Sequence, residues 1–158
     1  MVKTMRTLSF TLGFRFSTTL CVYAYMAFLC AIQSPARAVN DANEIRALIG
    51  ATWDKPDSKV EIGPVVISGS YAVASWTQGA HGGRALMRRG DKGWSVMLCS
   101  GDPLKESRWL AEAGVPLSDA ERIAKDLASA EALIPADRRE KFSLFEGVVS
   151  MTGGHHSP

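Results

Sequence analysis

Apolar and polar positions alternate most densely between Tyr71 and Asp102, in YAVASWTQGAHGGRALMRRGDKGWSVMLCSGD. Two breaks, Gly79-Ala80-His81-Gly82-Gly83 and Gly90-Asp91-Lys92-Gly93, cut this stretch into three β-rich runs at residues 71–78, 84–89 and 94–99. Aromatic and β-branched runs bounded by glycine clusters predict hairpins. Upstream, VEIGPVVIS at 60–68 reads as a fourth strand, and the proline inside it marks an edge position or a bulge. Gly69-Ser70 suits a two-residue turn between that strand and the next. A period of two places Trp94, Val96 and Leu98 on one face, and Ser95, Met97 and Cys99 on the other. By the same count Arg84 and Arg88 share a face with Leu86.

Helical periodicity brackets the strands. Ile45, Leu48, Ile49 and Trp53 form one stripe behind a cap at Asn40-Asp41. Asp102-Pro103 opens a second helical stretch, LKESRWLAEAG. Ser118 followed by Glu121 is a capping box for a helix whose buried stripe is Ile123, Leu127, Ala130 and Ile134. Pro135 stops it, and Asp137 caps a last helix carrying Phe142, Phe145 and Val149. The pattern predicts an α+β fold: an N-terminal helix, a four-stranded antiparallel β-meander, then two to three C-terminal helices packed on the sheet. Trp53, Trp76, Trp94 and Trp109 are expected to be mostly buried, being a large share of the apolar surface of so small a domain.

The first 38 residues do not fit this pattern. Lys3, Arg6 and Arg15 precede an apolar-leaning run of 15 residues at 18–32, and Ala36-Arg37-Ala38 supplies an A-x-A ending. This predicts a secretory signal peptide at 1–38 cleaved after Ala38, a single α+β domain at 39–150, and a flexible Met/His-containing tail at 151–158. The alternative is an uncleaved N-terminal anchor, for which the run is short against the ~20 residues of a membrane span. Removal of the leader changes the charge. Lys3, Arg6, Arg15 and Arg37 leave, so 14 basic face 16 acidic side chains and the net charge turns from +2 to −2. The basic balance belongs to the leader and gives no argument for nucleic acid as a partner. Cys21 and Cys30 also leave, and Cys99 alone cannot staple the fold. The expected product is periplasmic, held by its core, and not membrane-spanning after cleavage.

Candidate chemistry is sparse. H-E-x-x-H, P-loop and G-x-S-x-G patterns are absent, so no enzyme class is indicated. A Cys99–His81 pair would need the two to meet, and the default for Cys99 is a small buried hydrophobe. Metal ligation is the other option. Thioether and imidazole accept Cu(I), and imidazole also accepts Cu(II). Met151, His155 and His156 form the densest local ligand group, with His81 and Cys99 available if the tail folds back on the sheet. The default for that tail is a solvated end, for His81 an exposed turn residue, and for Met87 and Met97 core filling. Gly79, Gly82 and Gly83 lack the helix and lysine of a phosphate loop and read as turn glycines. Arg84, Arg88 and Arg89 read as a solvated basic cluster, or as a patch for an anionic partner.

Several stretches taken together resemble a known family. They are W-D-K-P at 53–56, G-P-V-V at 63–66, A-V-A-S-W-T-Q-G at 72–79, G-G-R-A-L at 82–86, W-S-V-M-L-C-S-G-D at 94–102, A-G-V-P at 113–116 and F-E-G-V-V at 145–149, with a histidine-bearing tail. The chain resembles the bacterial copper uptake system-associated proteins, small exported proteins named for their association with copper import. The resemblance implies export to the periplasm, a copper-related accessory role, and copper ion and copper-import membrane components as partners. It names no ligands, although His155 and His156 match the family's tail, and Cys99 and Asp102 match its L-C-S-G-D segment. Two functions are carried forward. One is a periplasmic accessory protein that binds or delivers copper. The other is a non-catalytic interaction module of an import system with no metal of its own, using a sheet face or the arginine patch.

Overall fold

The computed structural model describes residues 35–151; the leader apolar run and the histidines of the tail lie outside the described residues. Helix α1 (Pro35–Trp53) comes first, followed by strands β1 (Glu61–Ser68), β2 (Tyr71–Gln78), β3 (His81–Gly90) and β4 (Gly93–Ser100). A 3-10 turn (Asp102–Lys105), α2 (Ser107–Glu112), α3 (Leu117–Glu131), α4 (Ala136–Lys141) and a short β5 (Val148–Ser150) complete the order. The strands form one antiparallel sheet in sequence order, β1-β2-β3-β4-β5. The fold is α+β, with a helix preceding a meander, as the pattern predicts. It differs in detail: the sheet has five strands instead of four, and the C-terminal part has three α-helices and a 3-10 turn.

The fifth strand replaces the end of the predicted last helix. Gly147 takes φ +77, a conformation open to glycine, and the β-branched pair Val148-Val149 then aligns with Ser100 and Cys99 of β4. The last helix therefore stops at Lys141, and Asp137 does not cap it: Pro135 is the N-cap residue and Asp137 lies within the first turn. Three other helix boundaries move. Helix α1 is already formed at Pro35, the first described residue, upstream of the cap expected at Asn40-Asp41. Asp41 is thus an interior helix residue, buried and paired with Arg89. The stretch after Asp102 breaks at Glu106, which takes extended φ and ψ, so it forms two short pieces. Ser118 lies inside α3 and caps nothing; its neighbour Asp119 accepts a 2.6 Å bond from the Ser68 hydroxyl and ties α3 to β1.

Both sheet faces are covered. On one, Val66, Val73 and Leu86 pack with Leu104, Leu110, Val115, Ile123 and Leu127 from the C-terminal helices. On the other, Ala72, Ala74, Ala85, Met87, Trp94 and Cys99 pack under Ile45 and Ile49 of α1. Each fully buried Ile or Leu contributes roughly 1.5–3 kcal/mol of transfer free energy. Two-sided burial removes the polar half of the alternation, so β3 is buried without interruption from Gly82 to Met87. A bulge does the rest. Leu86 pairs with Leu98 but Met87 pairs with Val96, leaving Met97 as the extra residue. That shift puts Cys99 on the α1 face with Trp94 and Val96, and Leu98 on the opposite face, reversing the assignment from simple alternation.

The arginine cluster is not a patch. Arg84 is 1% exposed and Glu131 of α3 is 4% exposed. Arg84 Nε and Nη2 donate to the two carboxylate oxygens of Glu131, each at 2.7 Å, in a bidentate pair. Ser75 donates to the same carboxylate at 2.7 Å, and Arg84 Nη1 donates to the Phe142 carbonyl at 3.2 Å and to Asp102 at 3.3 Å. The guanidinium joins β2, β3, α3, the 3-10 turn and the end of α4. Arg89 pairs with Asp41 and stacks 4.8 Å over Trp94, leaving Arg88 as the exposed member. Of the tryptophans, Trp94 is buried and Trp53 and Trp76 are half-buried, but Trp109 is 40% exposed. Its place on the short helix α2 gives it one packed side only.

Candidate functional site

A cavity of about 180 Å³ opens on the α1 side of the sheet, near the end where β3 starts and β4 finishes. Helix α1 supplies Ile49 and Trp53, and the loop after it Val60. The sheet supplies Trp76 and Gln78 from β2, Ala85 from β3 and Cys99 from β4, and the C-terminal segment supplies Phe145 and Met151. Cross-strand register makes this floor: Ala85 faces Cys99 between β3 and β4, and Cys99 faces Val149 between β4 and β5.

Three glycines let the C-terminal segment reach the site. A Cβ at Gly82 would lie 2.6 Å from the Lys141 carbonyl oxygen, and one at Gly101 would lie 2.8 Å from that of Phe145. A Cβ at Gly83 would lie 2.9 Å from the Phe145 side chain and 3.1 Å from Trp76. Gly82 and Gly83 are buried residues of β3, so of the three glycines read as turn residues only Gly79, with φ +62, keeps that role. The space above Gly83 admits the Phe145 ring, which meets Trp76 edge-on at 6.0 Å and 80°. Beyond Gly147 the chain re-enters the sheet as β5, and the Met151 N–H donates to the Met97 carbonyl at 2.7 Å. Met151 is therefore docked on the sheet rather than part of a free tail.

The polar content of the cavity is small. Gln78 Nε2 donates to the carbonyls of Trp53 (3.0 Å) and Ser58 (2.9 Å), which fixes the amide and closes the end of α1 onto β2. Cys99 is 6% exposed and a free thiol, and burial pushes its pKa up to about 11. It is a neutral S–H at any pH where the domain would work, which removes it as a ready nucleophile.

Of the five residues singled out as copper ligands, the fold brings two together: Cys99 and Met151 line one cavity. His81 is exposed at the first position of β3, opposite Gln78, and does not line it. His155 and His156 lie outside the described residues. Among the described residues, no group of three or more His, Cys, Asp or Glu side chains is placed to hold a metal. Trp53, Trp76, Gln78 and Phe145 were not singled out as site residues from sequence. The glycine pair opposite Trp76 is the signal that could have found them, since a buried glycine facing an aromatic marks a close approach.

On the opposite face a more open groove of about 190 Å³ runs between the 3-10 turn, α2 and β5, with Trp109, Leu98 and Val148 on its walls. Asp102, in the 3-10 turn, has its pKa lowered first by the hydrogen bond from Ser143 and further by Lys105 and Arg84, against opposing desolvation. No helix among the described residues is long and apolar enough to cross a membrane. Comparison with protein-family models, with curated proteins and with solved structures returns no match in any of the three.

Proposed function

We propose that the protein is an exported accessory of copper uptake that binds copper through sulfur ligands, Cys99 and Met151, with the His155-His156 pair completing the site. The observation that carries this reading is that Cys99 on β4 and Met151 after β5 line one cavity although they lie 52 positions apart in sequence. Thiolate and thioether are soft ligands of the kind that select Cu(I). His155 and His156 follow Met151 by four and five residues, within ~18 Å of extended chain, so their imidazoles have the reach to join it. Export is supported by the way α1 is used. Among the described side chains of α1, 36–40 are exposed and the first buried one is Asp41, so cleavage after Ala38 leaves every described packed residue of the helix in place.

Competition of the purified protein with a chromophoric Cu(I) chelator tests the reading. Wild type is expected to withdraw copper from the chelator. Met151→Leu and Cys99→Ser are each expected to lose at least tenfold in affinity, and truncation after Met151 to weaken binding further. The pH profile separates the ligands. Ligation by Cys99 must expel its proton, so affinity through that sulfur rises about tenfold per pH unit up to about 11. Ligation by histidine weakens only as pH falls through ~6.5. Wild-type affinity unchanged by all three variants would sink the proposal.

A second reading, a metal-free interaction module of an import system, is favoured by one observation. The 40%-exposed Trp109 and the 57%-exposed Val148 flank the groove opposite the cavity. Aromatic anchors of this kind dominate protein interfaces. Trp109→Ala would then abolish association with the import components while leaving copper affinity unchanged.

A further inference from the structure

We infer that the cavity beneath α1 is a binding site for a small, flat, uncharged organic molecule of one or two fused rings that carries a hydrogen-bond donor. This goes beyond the copper reading and does not rest on it. Two sulfurs in the wall would hold an ion of ångström size, which leaves most of about 180 Å³ unaccounted for. An apolar cavity of ~150 Å³ in a protein core stays dry and takes up benzene. The space here is of that order and somewhat larger.

The walls select the shape. Trp76 and Phe145 meet at 80°, forming a corner with one ring as floor and the other as side, and Trp53 adds a third aromatic surface. Such corners favour a planar guest, which gains offset and edge-on ring contacts beyond simple burial. The walls also select charge. Among the described residues no Lys, Arg, Asp, Glu or His lines the cavity, so an ionised guest would lose its hydration without a counter-charge from them.

Gln78 selects the polar handle. Its Nε2 donates to two backbone carbonyls, Trp53 at 3.0 Å and Ser58 at 2.9 Å, and only an NH₂ group can do both. The amide orientation is thereby fixed, and Oε1 is left as an acceptor in an otherwise apolar wall. A guest with one O–H or N–H, a phenol or an indole, matches it. The Cys99 S–H is too weak a donor to compete for that role.

Titration of the full-length chain with phenol, indole, toluene and benzoate, followed by ¹H–¹⁵N correlation spectra, tests this. Phenol and indole are expected to give saturable shifts at the amides of Ala85 and Cys99. Toluene, equal in shape but without the donor, is expected to bind at least roughly fivefold more weakly, the worth of one buried hydrogen bond. Benzoate is expected to give no saturable shift. Ala85→Leu fills the floor and is expected to abolish binding; Val60→Trp fills the cavity from the more tolerant loop side and does so independently. Absence of saturation with phenol, indole and toluene in a folded protein overturns the proposal. So does equal affinity for toluene and phenol, or binding that survives both filling variants. Copper affinity does not enter any of these readouts, so the two proposals stand or fall separately.

Discussion

Truncating Glu131 to alanine removes the partner of a buried cation and is expected to be the most damaging single change on the α3 face. Arg84 is 1% exposed and donates two 2.7 Å charge-assisted bonds to Glu131, so the variant leaves a guanidinium in the core with its main counter-charge gone. Breaking such a pair costs about 3–5 kcal/mol. The Ser75 hydroxyl loses its acceptor as well, in a range of about 1–3 kcal/mol that overlaps the first and does not add to it in full. Asp102 at 3.3 Å, the Phe142 carbonyl at 3.2 Å and the Phe142 ring at 5.7 Å remain to hold Arg84, which places the expected loss toward the lower end. A domain of this size has ~5–15 kcal/mol to lose. At roughly 4 °C per kcal/mol the melting temperature is expected to fall by ~12 °C or more. Urea denaturation at neutral pH, with the m-value held constant as the check on two-state behaviour, measures the change. The double variant Arg84→Met, Glu131→Leu is expected to recover most of the loss, since an apolar pair of similar volume needs no counter-charge. A loss below ~1 kcal/mol for Glu131→Ala, the range of exposed ion pairs, would refute the buried-pair argument.

Three further outcomes follow from the same contacts. Gly83→Ala places a methyl carbon 2.9 Å from Phe145 and is expected to cost ~1–3 kcal/mol and to change Trp76 fluorescence; unchanged melting and emission would mean that Phe145 does not pack there. Cys99 has a folded pKa of about 11, above the ~8.5 of a free thiol, so its contribution to stability is full below ~8.5 and is lost as pH rises toward 11. Denaturation between pH 8 and 11 should show this decline in wild type and a flatter profile in Cys99→Ala, and alkylation of the folded protein at pH 8 should be slow until denaturant is added. Asp102 has a depressed pKa, so its contribution is present above ~3.9 and is lost as pH falls through its lower folded value. Ser143→Ala removes the largest cause of that depression, and carboxyl-carbon NMR titration should show the Asp102 midpoint move up; no movement would assign the shift to Lys105 and Arg84 instead.

The fold class was legible because its signals are local. Glycine breaks at 79–83 and 90–93 mark two hairpins, and Ile45, Ile49, Ile123 and Leu127, all predicted to face inward, are at most 2% exposed. What was not legible depends on contacts distant in sequence. Arg84 reads as a surface charge until Glu131, 47 positions later, is placed beside it. Val148-Val149 reads as the end of a helix because a three-residue strand has no periodicity, and only the free edge of β4 makes it one. The faces of β4 could not be assigned by alternation, since covering both sides of a sheet erases the polar half of the pattern.

The site shows the same division, and the Met97 bulge is where it turns. Sequence alternation places Cys99 opposite Trp94 and Val96, which would aim the thiol toward the C-terminal helices and away from Trp53, Trp76 and Phe145. One extra residue in β4 reverses this and puts the sulfur in the floor of the aromatic cavity. The same bulged residue offers the carbonyl that receives the Met151 N–H, so a single irregularity both turns Cys99 inward and anchors the strand that brings the second sulfur to it. Deleting Met97 separates these two effects. Without the extra residue Leu98 still faces Leu86 and Cys99 still faces Ala85, now in a regular ladder, so Cys99 stays on the α1 face while the bulge carbonyl that receives the Met151 N–H is lost. Copper affinity is expected to fall in that variant through the loss of the Met151 anchor, and the Cys99 thiol to stay buried and slow to alkylate. A Cys99 thiol that becomes reactive in a folded deletion variant would show that the pairing on the two sides of the bulge is not held independently of it.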